Sequence, residues 1–246
     1  MLRLTHRSEL FRLNKYASDI YFVQDVAPAI KADIKALFGS YHQACTAADL
    51  MLMSLGQTEI LKERCHQSEI GQKRSHSLLV HVSALEQLDP LLRLYEGCAS
   101  RTIGRPEEAT VVKFHLNKPK ISYLFFPTFD TEPHPVLQIS MQISLRNLHV
   151  RYQDYDIDDN PPLLHKKELL VTQDYPSYNK FAKLSNQERK WGLLDDSSNN
   201  YTRQSWAECL EKNCAEMKGH RLVWRKDADP YQVKLLQAAQ RRRQPG

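Results

Sequence analysis

The spacing of hydrophobic residues changes twice along this chain. From Ala27 to about Arg101, apolar side chains recur three or four positions apart, as they do on one face of a helix. Asp89-Pro90 supplies an N-cap followed by a proline at the first helical position, and Ser83 with Glu86 has the spacing of a capping box. Residues 1–108 are therefore predicted to form an N-terminal helical region.

From Ala109 the hydrophobic period becomes two, which is typical of strands with one buried face. The runs V-V-K-F-H, I-S-Y-L-F-F and Q-I-S-M-Q-I-S follow one another with short polar connections. Pro161-Pro162 ends this pattern, and helical spacing returns after about residue 172. The fold class expected is α+β, with a central antiparallel sheet of about four or five strands over residues 109–172. Residues 173–246 form a C-terminal helical region, and the three regions together form one compact domain.

Composition narrows the class of protein. The chain has 246 residues, of which 41% are hydrophobic and 26% charged, and no apolar run is long enough to span a membrane. We expect a globular, cytoplasmic protein without membrane partners. Its five cysteines are scattered without a C-x-x-C pair, and Cys65 beside His66 is too small a set for a tetrahedral ion. Reduced thiols and no metal site are expected.

The glycines argue against several enzyme classes. There are only eight, and none forms G-x-G-x-x-G, a P-loop or the glycine-rich turn that brings backbone close to a nucleotide. The motifs G-x-S-x-G and H-E-x-x-H are also absent. A methyltransferase or NTPase that binds its cofactor within this chain alone is therefore disfavoured.

Two regions contain catalytic candidates. His134 lies between two prolines near Asp130 and Glu132, where carboxylates could tune an imidazole as a base, although a loop histidine is usually solvated. The second region contains carboxylates that could hold a hard cation, as in metal-dependent nucleases, and its members are Asp154, Asp156, Asp158, Asp159 and Glu168. There the lysines precede the glutamate instead of following an acidic residue, so a solvated acidic turn is the simpler interpretation.

Basic residues are the candidates for nucleic-acid contact, and the net charge of +5 permits a polyanionic partner. They alternate along predicted strands or follow them, near Tyr123, Tyr152 and Tyr155: Lys113, His115, Lys118, Lys120, His149, Arg151, His165, Lys166 and Lys167. A plain polar outer sheet face would show the same alternation. Arg241, Arg242 and Arg243 near the C-terminus could also touch phosphates, or form a solvated terminus.

Several longer motifs add a resemblance. They are F-G-S-Y-H-Q-A-C, L-L-V-H-V-S-A-L, P-L-L-R-L-Y-E-G-C-A, K-P-K-I-S-Y-L, D-N-P-P-L-L-H-K-K-E, Y-P-S-Y-N-K-F-A-K-L, Q-E-R-K-W-G-L-L-D-D and G-H-R-L-V. In this order, from about Ala27 to Val223, the chain resembles the family of methyltransferases associated with DNA phosphorothioation. The resemblance implies a role in bacterial modification or defence systems that replace a non-bridging phosphate oxygen of DNA with sulfur.

The methyltransferase-like segment of that family, with its acidic-glycine-rich cofactor loop, lies upstream of these motifs, and here about 26 residues precede them. We therefore expect the downstream region alone, which engages DNA, phosphorothioated or not, and binds no S-adenosylmethionine without a separate domain. Whether the chain is itself an enzyme stays open. The alternatives are a subunit of a split DNA methyltransferase and a metal-dependent nuclease that uses the region from Asp154 to Glu168.

Overall fold

A computed structural model describes residues 26–194 and 202–242. Seven α-helices are present in these ranges: α1 Pro28–Phe38, α2 Tyr41–Ser54, α3 Thr58–Gln67, α4 Pro90–Ile103, α5 Tyr178–Trp191, α6 Arg203–Lys212 and α7 Pro230–Arg242. The strands are β1 Gln72–Arg74, β2 Ser77–His81, β3 Val111–His115, β4 Lys120–Phe125, β5 Ile139–Ser144, β6 Val150–Asp154, β7 Ala215–Met217 and β8 Leu222–Trp224. Two 3₁₀ helices span Val82–Gln87 and Lys167–Leu169. Arg243 of the predicted basic tail lies outside the described residues.

The expected α+β class is confirmed, and the sheet is slightly larger than predicted. Six strands form an antiparallel meander in the order β1-β2-β3-β4-β5-β6, and β7 and β8 form a separate hairpin. The additional strands β1 and β2 lie in the region predicted to be helical. All five residues of β2 are buried and pair with β3, from Ser77 opposite His115 to His81 opposite Val111. Because the short apolar run L-L-V at its centre shows neither a strand nor a helix period, the spacing could not identify this strand.

Polar side chains cap the first turns of two helices. Asp89 accepts a hydrogen bond from the Leu91 N–H at 2.8 Å and is followed by Pro90 at the start of α4. Thr202 caps α6 through the Ser205 N–H. The predicted capping box at Ser83 is wrong, because that residue lies inside the 3₁₀ helix that begins at Val82, and the His81 side chain caps it by accepting a hydrogen bond from the Ser83 N–H.

The first sheet face packs against α3, α4 and the 3₁₀ helix that begins at Val82. Apolar side chains of alternate strand positions meet the apolar side of α4, and the cluster includes Leu78, Val80, Leu92, Tyr95, Val112, Phe114, Ile121, Tyr123, Met141 and Ile143. Tyr95 stacks on Phe114 with ring centroids 6.4 Å apart. This is the main hydrophobic core.

The second sheet face is covered over only part of its area. At one end, Leu79, Val111 and Leu124 pack beneath an aromatic cluster that contains Phe126, Phe129 and Phe181 of α5. At the other end the strand positions are polar. The covered part anchors the loops that follow β4 and β6. In the polar part Arg74, Arg151 and Gln153 are exposed, whereas Ser77 and Ser122 are buried beneath longer side chains.

His81 gives the covered end a pH-dependent stability. Its ring centroid lies 4.5 Å from that of Phe129 and 5.2 Å from that of Tyr175, and its Nδ1 accepts a hydrogen bond from the Ser83 N–H. Burial lowers the pKa of His81 to about 4, against a smaller opposing effect of Asp130. A histidine whose pKa is depressed in the folded state binds a proton more readily in the unfolded chain. The free energy of unfolding is therefore at its full value above the unfolded-state pKa of about 6.5, and it falls as the pH drops toward 4.

We expect the free energy of unfolding of the wild type to fall by about 2 kcal/mol more than that of His81→Asn between about pH 7 and about pH 5. The Asn Oδ1 can replace Nδ1 as the acceptor for Ser83 N–H, and the other titrating groups are the same in both proteins. Urea unfolding at a series of pH values measures the difference. Parallel pH profiles for the two proteins would show that His81 does not titrate in this way.

Candidate nucleic-acid interface on the second sheet face

The polar part of the second sheet face collects basic side chains from four strands. In one row across the sheet, Lys113 of β3 lies opposite Ser122, Ser122 opposite Gln142, and Gln142 opposite Arg151 of β6. A neighbouring row runs from Arg74 of β1 to Ser77 and His115. Lys120 of β4 and its partner Ser144 continue the second row. We call Arg74, Lys113, His115, Lys120 and Arg151 the basic face.

No carboxylate interrupts this arrangement. Every other strand position on the second face of β1 to β6 is hydroxylic, amide, histidine or apolar, since the alternating positions are Gln72, Ser77, Leu79, His81, Val111, Ser122, Leu124, Ser140, Gln142, Ser144 and Gln153. Arg74 and Arg151 are exposed, and Lys113, His115 and Lys120 are half-buried. The strand register places Lys113 and His115 on one face, and Lys120 and Arg151 lie on it too.

Burial and neighbouring positive charges lower the pKa values of Lys113 and His115 in the basic face. Burial lowers the pKa of Lys113, and the charges of Arg74 and Lys120 lower it further. The pKa of His115 falls to about 4, because of burial first and then of Lys113, Lys120 and Lys118. At neutral pH His115 is therefore uncharged and pairs with the Ser122 hydroxyl at 2.8 Å. Four cations and a hydrogen-bonding imidazole remain for an anionic partner.

Other predicted contacts fall outside this surface. Lys118 and His149 are exposed in or beside the turns, whereas Tyr123 is fully buried on the first face and cannot stack on a base. His165 and Lys167 are 3% and 2% exposed, so the prediction that they contact nucleic acid is wrong for this fold. Lys166 between them is half-buried and adopts a left-handed conformation with φ of 55°.

Lys167 has a structural environment instead. Its Nζ donates hydrogen bonds to the carbonyl oxygens of Phe129 and Glu132, each at 2.6 Å, and lies 4.0 Å from the ring centroid of Phe181. Burial lowers its pKa to about 7, with a further lowering by Lys180. Lys167 therefore ties the loop after β4 to the aromatic cluster.

The predicted acidic cation site is not assembled. Asp154 and Asp158 are exposed, and each carboxylate accepts a hydrogen bond from a backbone N–H two residues ahead, as in an Asx turn. Glu168 is buried, where Ser185 Oγ donates to it at 2.6 Å and Arg189 contacts its other oxygen. Burial raises the pKa of Glu168. Within residues 26–194 and 202–242, these aspartates and Glu168 do not converge into a three-ligand group, so the nuclease interpretation loses its site.

His134 is not a solvated loop residue. The loop after β4 and the segment after β6 pair as a short antiparallel ladder, in which Leu164 N–H donates to Pro135 O at 3.0 Å and Leu137 N–H donates to Pro162 O at 2.9 Å. This register places His134 opposite His165, and their ring centroids lie 4.3 Å apart. Burial is the largest cause that lowers the pKa of His165 well below its usual value.

Glu188 and Trp206 complete this buried group, and sequence reasoning missed both. His134 Nε2 lies 2.5 Å from Glu188 Oε1, so the predicted carboxylate neighbours Asp130 and Glu132 are replaced by one from α5. The Trp206 ring packs edge-on against both imidazoles. Nothing in the sequence spacing connected Glu188 to a histidine 54 residues earlier.

No family model, curated protein or solved structure matches this chain. In the part of the chain that the structure describes, no helix combines the length and apolar character needed to cross a bilayer.

Proposed function

We propose that this chain is a cytoplasmic accessory module that binds DNA through the basic face, as part of a DNA phosphorothioation system. The observation that carries the proposal is the clustering of Arg74, Lys113, Lys120 and Arg151 on one outward sheet surface without a carboxylate among its strand positions. Cations without local counter-charges release condensed counterions when they meet a phosphate backbone, which favours binding to DNA.

The polar neighbours of these cations fit backbone contact better than base readout. Lys120 Nζ is held by Gln142 Oε1 at 3.1 Å, and His115 is held by Ser122, so the side chains are positioned by hydrogen bonds across strands. A broad sheet surface cannot enter a groove as a helix does, whereas it can follow phosphates. Sulfur in place of a phosphate oxygen would be met at this same surface.

In this proposal the chain itself does not bind S-adenosylmethionine. The sequence lacks a glycine-rich cofactor turn, and the sheet is an antiparallel meander instead of the parallel βαβ arrangement in which such turns occur. Methyl transfer would therefore be performed by a separate methyltransferase domain or subunit that this module brings to DNA.

The first test is a fluorescence-anisotropy titration of the purified chain with two matched duplexes, one phosphorothioated and one not, at two salt concentrations. Salt-sensitive binding to both duplexes supports a DNA-engaging module, and tighter binding to the sulfur-containing duplex supports a role in recognising the modification. Equal affinity for the two would restrict the proposal to backbone binding. Absence of binding to either would overturn it.

Variants that remove positive charges test whether DNA binds to the basic face. We expect Lys113→Gln/Lys120→Gln/Arg151→Gln to weaken binding by about tenfold or more and to reduce the slope of log affinity against log salt by about 2 to 3, because each lost phosphate contact removes about one released counterion. The matched control removes three exposed cations elsewhere, in Lys212→Gln/Lys226→Gln/Lys234→Gln. Since both variants lose the same net charge, an equal loss of affinity in the control would refute the assignment to the basic face.

A further inference from the structure

We propose that His134, His165 and Glu188 form a binding site for a divalent transition-metal ion, with Zn²⁺ as the representative ion. The donor atoms of these three side chains all lie within 4.8 Å of one another. They come from three separate segments: the loop after β4, the segment after β6 and helix α5. The proposal is independent of DNA binding by the basic face.

The donor set matches the chemistry of such ions. Two imidazole nitrogens and one carboxylate oxygen are the protein ligands of several zinc sites, and the same set with open positions also suits Fe²⁺. Mg²⁺ and Ca²⁺ prefer sets made of oxygen only. The group therefore selects for first-row transition metals over the abundant hard cations.

Glu188 provides a second, independent observation. Its side chain is 1% exposed, and one oxygen, Oε1, faces His134 Nε2. The other oxygen, Oε2, is buried without a hydrogen-bond partner among the described residues. A buried carboxylate oxygen without a partner costs free energy, and coordination of a cation by the carboxylate would supply the missing interaction.

The surroundings favour a fixed site. The antiparallel register between the two loops holds the histidines opposite each other, so neither ring depends on a flexible terminus for its position. Trp206 packs against both rings, at centroid distances of 4.7 Å from His134 and 4.6 Å from His165. An apolar wall of this kind lowers the local dielectric and strengthens the attraction between a cation and Glu188.

Metal binding would replace the direct contact between His134 and Glu188. The proton between Nε2 and Oε1 would leave this contact, and the neutral imidazole would carry its one proton on Nδ1, so that Nε2 and Oε1 could each donate a lone pair to the ion. The ion would then cross-link α5 to both loops, which the hydrogen bonds of Lys167 already hold near the aromatic cluster. The expected consequence is a large gain in stability on binding.

The test uses the full chain stripped of metal with a chelator and then titrated with ZnCl₂ by calorimetry and thermal unfolding. We expect one equivalent of Zn²⁺ to bind and the melting temperature to rise by about 5 °C or more at saturating metal, with no rise from MgCl₂. In Glu188→Gln the amide oxygen can still accept a hydrogen bond from His134, but an amide is a poor metal ligand. The rise in melting temperature with Zn²⁺ should therefore disappear in this variant. His66→Asn, which removes the exposed histidine beside Cys65, should behave as the wild type.

X-ray absorption of the zinc-loaded wild type keeps the proposal testable if Glu188→Gln fails to fold. Two imidazoles and only nitrogen or oxygen ligands, at about 2.0–2.1 Å, are expected. Sulfur ligands at about 2.3 Å would place the ion on the cysteines and overturn the proposal. So would the absence of stoichiometric binding by the wild type, or an unchanged thermal shift in a folded Glu188→Gln protein.

Discussion

Replacing Lys167 with methionine is expected to lower the free energy of unfolding by about 3 kcal/mol. The carbonyl oxygens of Phe129 and Glu132 would lose their 2.6 Å donor, and an unpaired buried carbonyl costs about 1–3 kcal/mol. The cation over the Phe181 ring would also be lost, which costs about 2 kcal/mol when the pair is desolvated. Part of this sum is regained, because burial already lowers the pKa of Lys167 to about 7 and so makes its charged form costly.

Urea unfolding at neutral pH measures this loss, and Lys183→Met is the matched control. Lys183 is an exposed lysine of α5, and its replacement should change stability by less than about 0.5 kcal/mol. At temperatures where Lys167→Met stays folded, its DNA affinity should equal that of the wild type, because a side chain 2% exposed does not reach phosphate. A stable Lys167→Met protein with weakened DNA binding would instead place this lysine on the surface.

The same residue shows why part of the site could not be predicted. In the sequence H-K-K-E, two lysines beside a histidine and a glutamate look like a solvated charged tetrad. In the structure His165, Lys167 and Glu168 point inward, and only Lys166 stays half-exposed. The partners that make this burial tolerable lie 17 to 38 residues away for Lys167 and Glu168, in the loop after β4 and in α5. The spacing of residues near Lys167 and Glu168 in the sequence does not indicate these distant partners.

The sheet was more predictable because strand periodicity is local. Side chains alternate across a strand, so Lys113 and His115 had to share a face once β3 formed, and antiparallel pairing then brought Lys120 and Arg151 onto the same face. The same rule failed for β2, where both faces are buried and no alternation is visible. The part of the basic face on β3, β4 and β6 could thus be predicted from the sequence, whereas Arg74 on β1 and the buried histidine and glutamate group could not.

The second large effect is expected at a buried ion pair beneath the first sheet face. Glu96 of α4 has a side chain only 4% exposed, and it accepts hydrogen bonds from Arg105 Nε at 2.8 Å, Arg105 Nη2 at 2.6 Å and the Tyr123 hydroxyl at 2.8 Å. Arg105→Met would leave this carboxylate without its cation. Breaking a buried pair costs about 3–5 kcal/mol, and because Arg105 is 43% exposed we expect a value near the lower end, about 3 kcal/mol.

A double-mutant cycle separates the lost pair from lost packing. Glu96→Gln removes the charge but keeps an oxygen acceptor for Tyr123, so Glu96→Gln/Arg105→Met should be more stable than Arg105→Met alone by about 2 kcal/mol. The rescue arises because the neutral amide no longer needs a counter-charge in the core, and urea unfolding of the four proteins measures it. If the two substitutions simply add, Glu96 does not depend on Arg105 for its charge. Arg105 would then stabilise the end of α4 through the packing of its aliphatic stem alone.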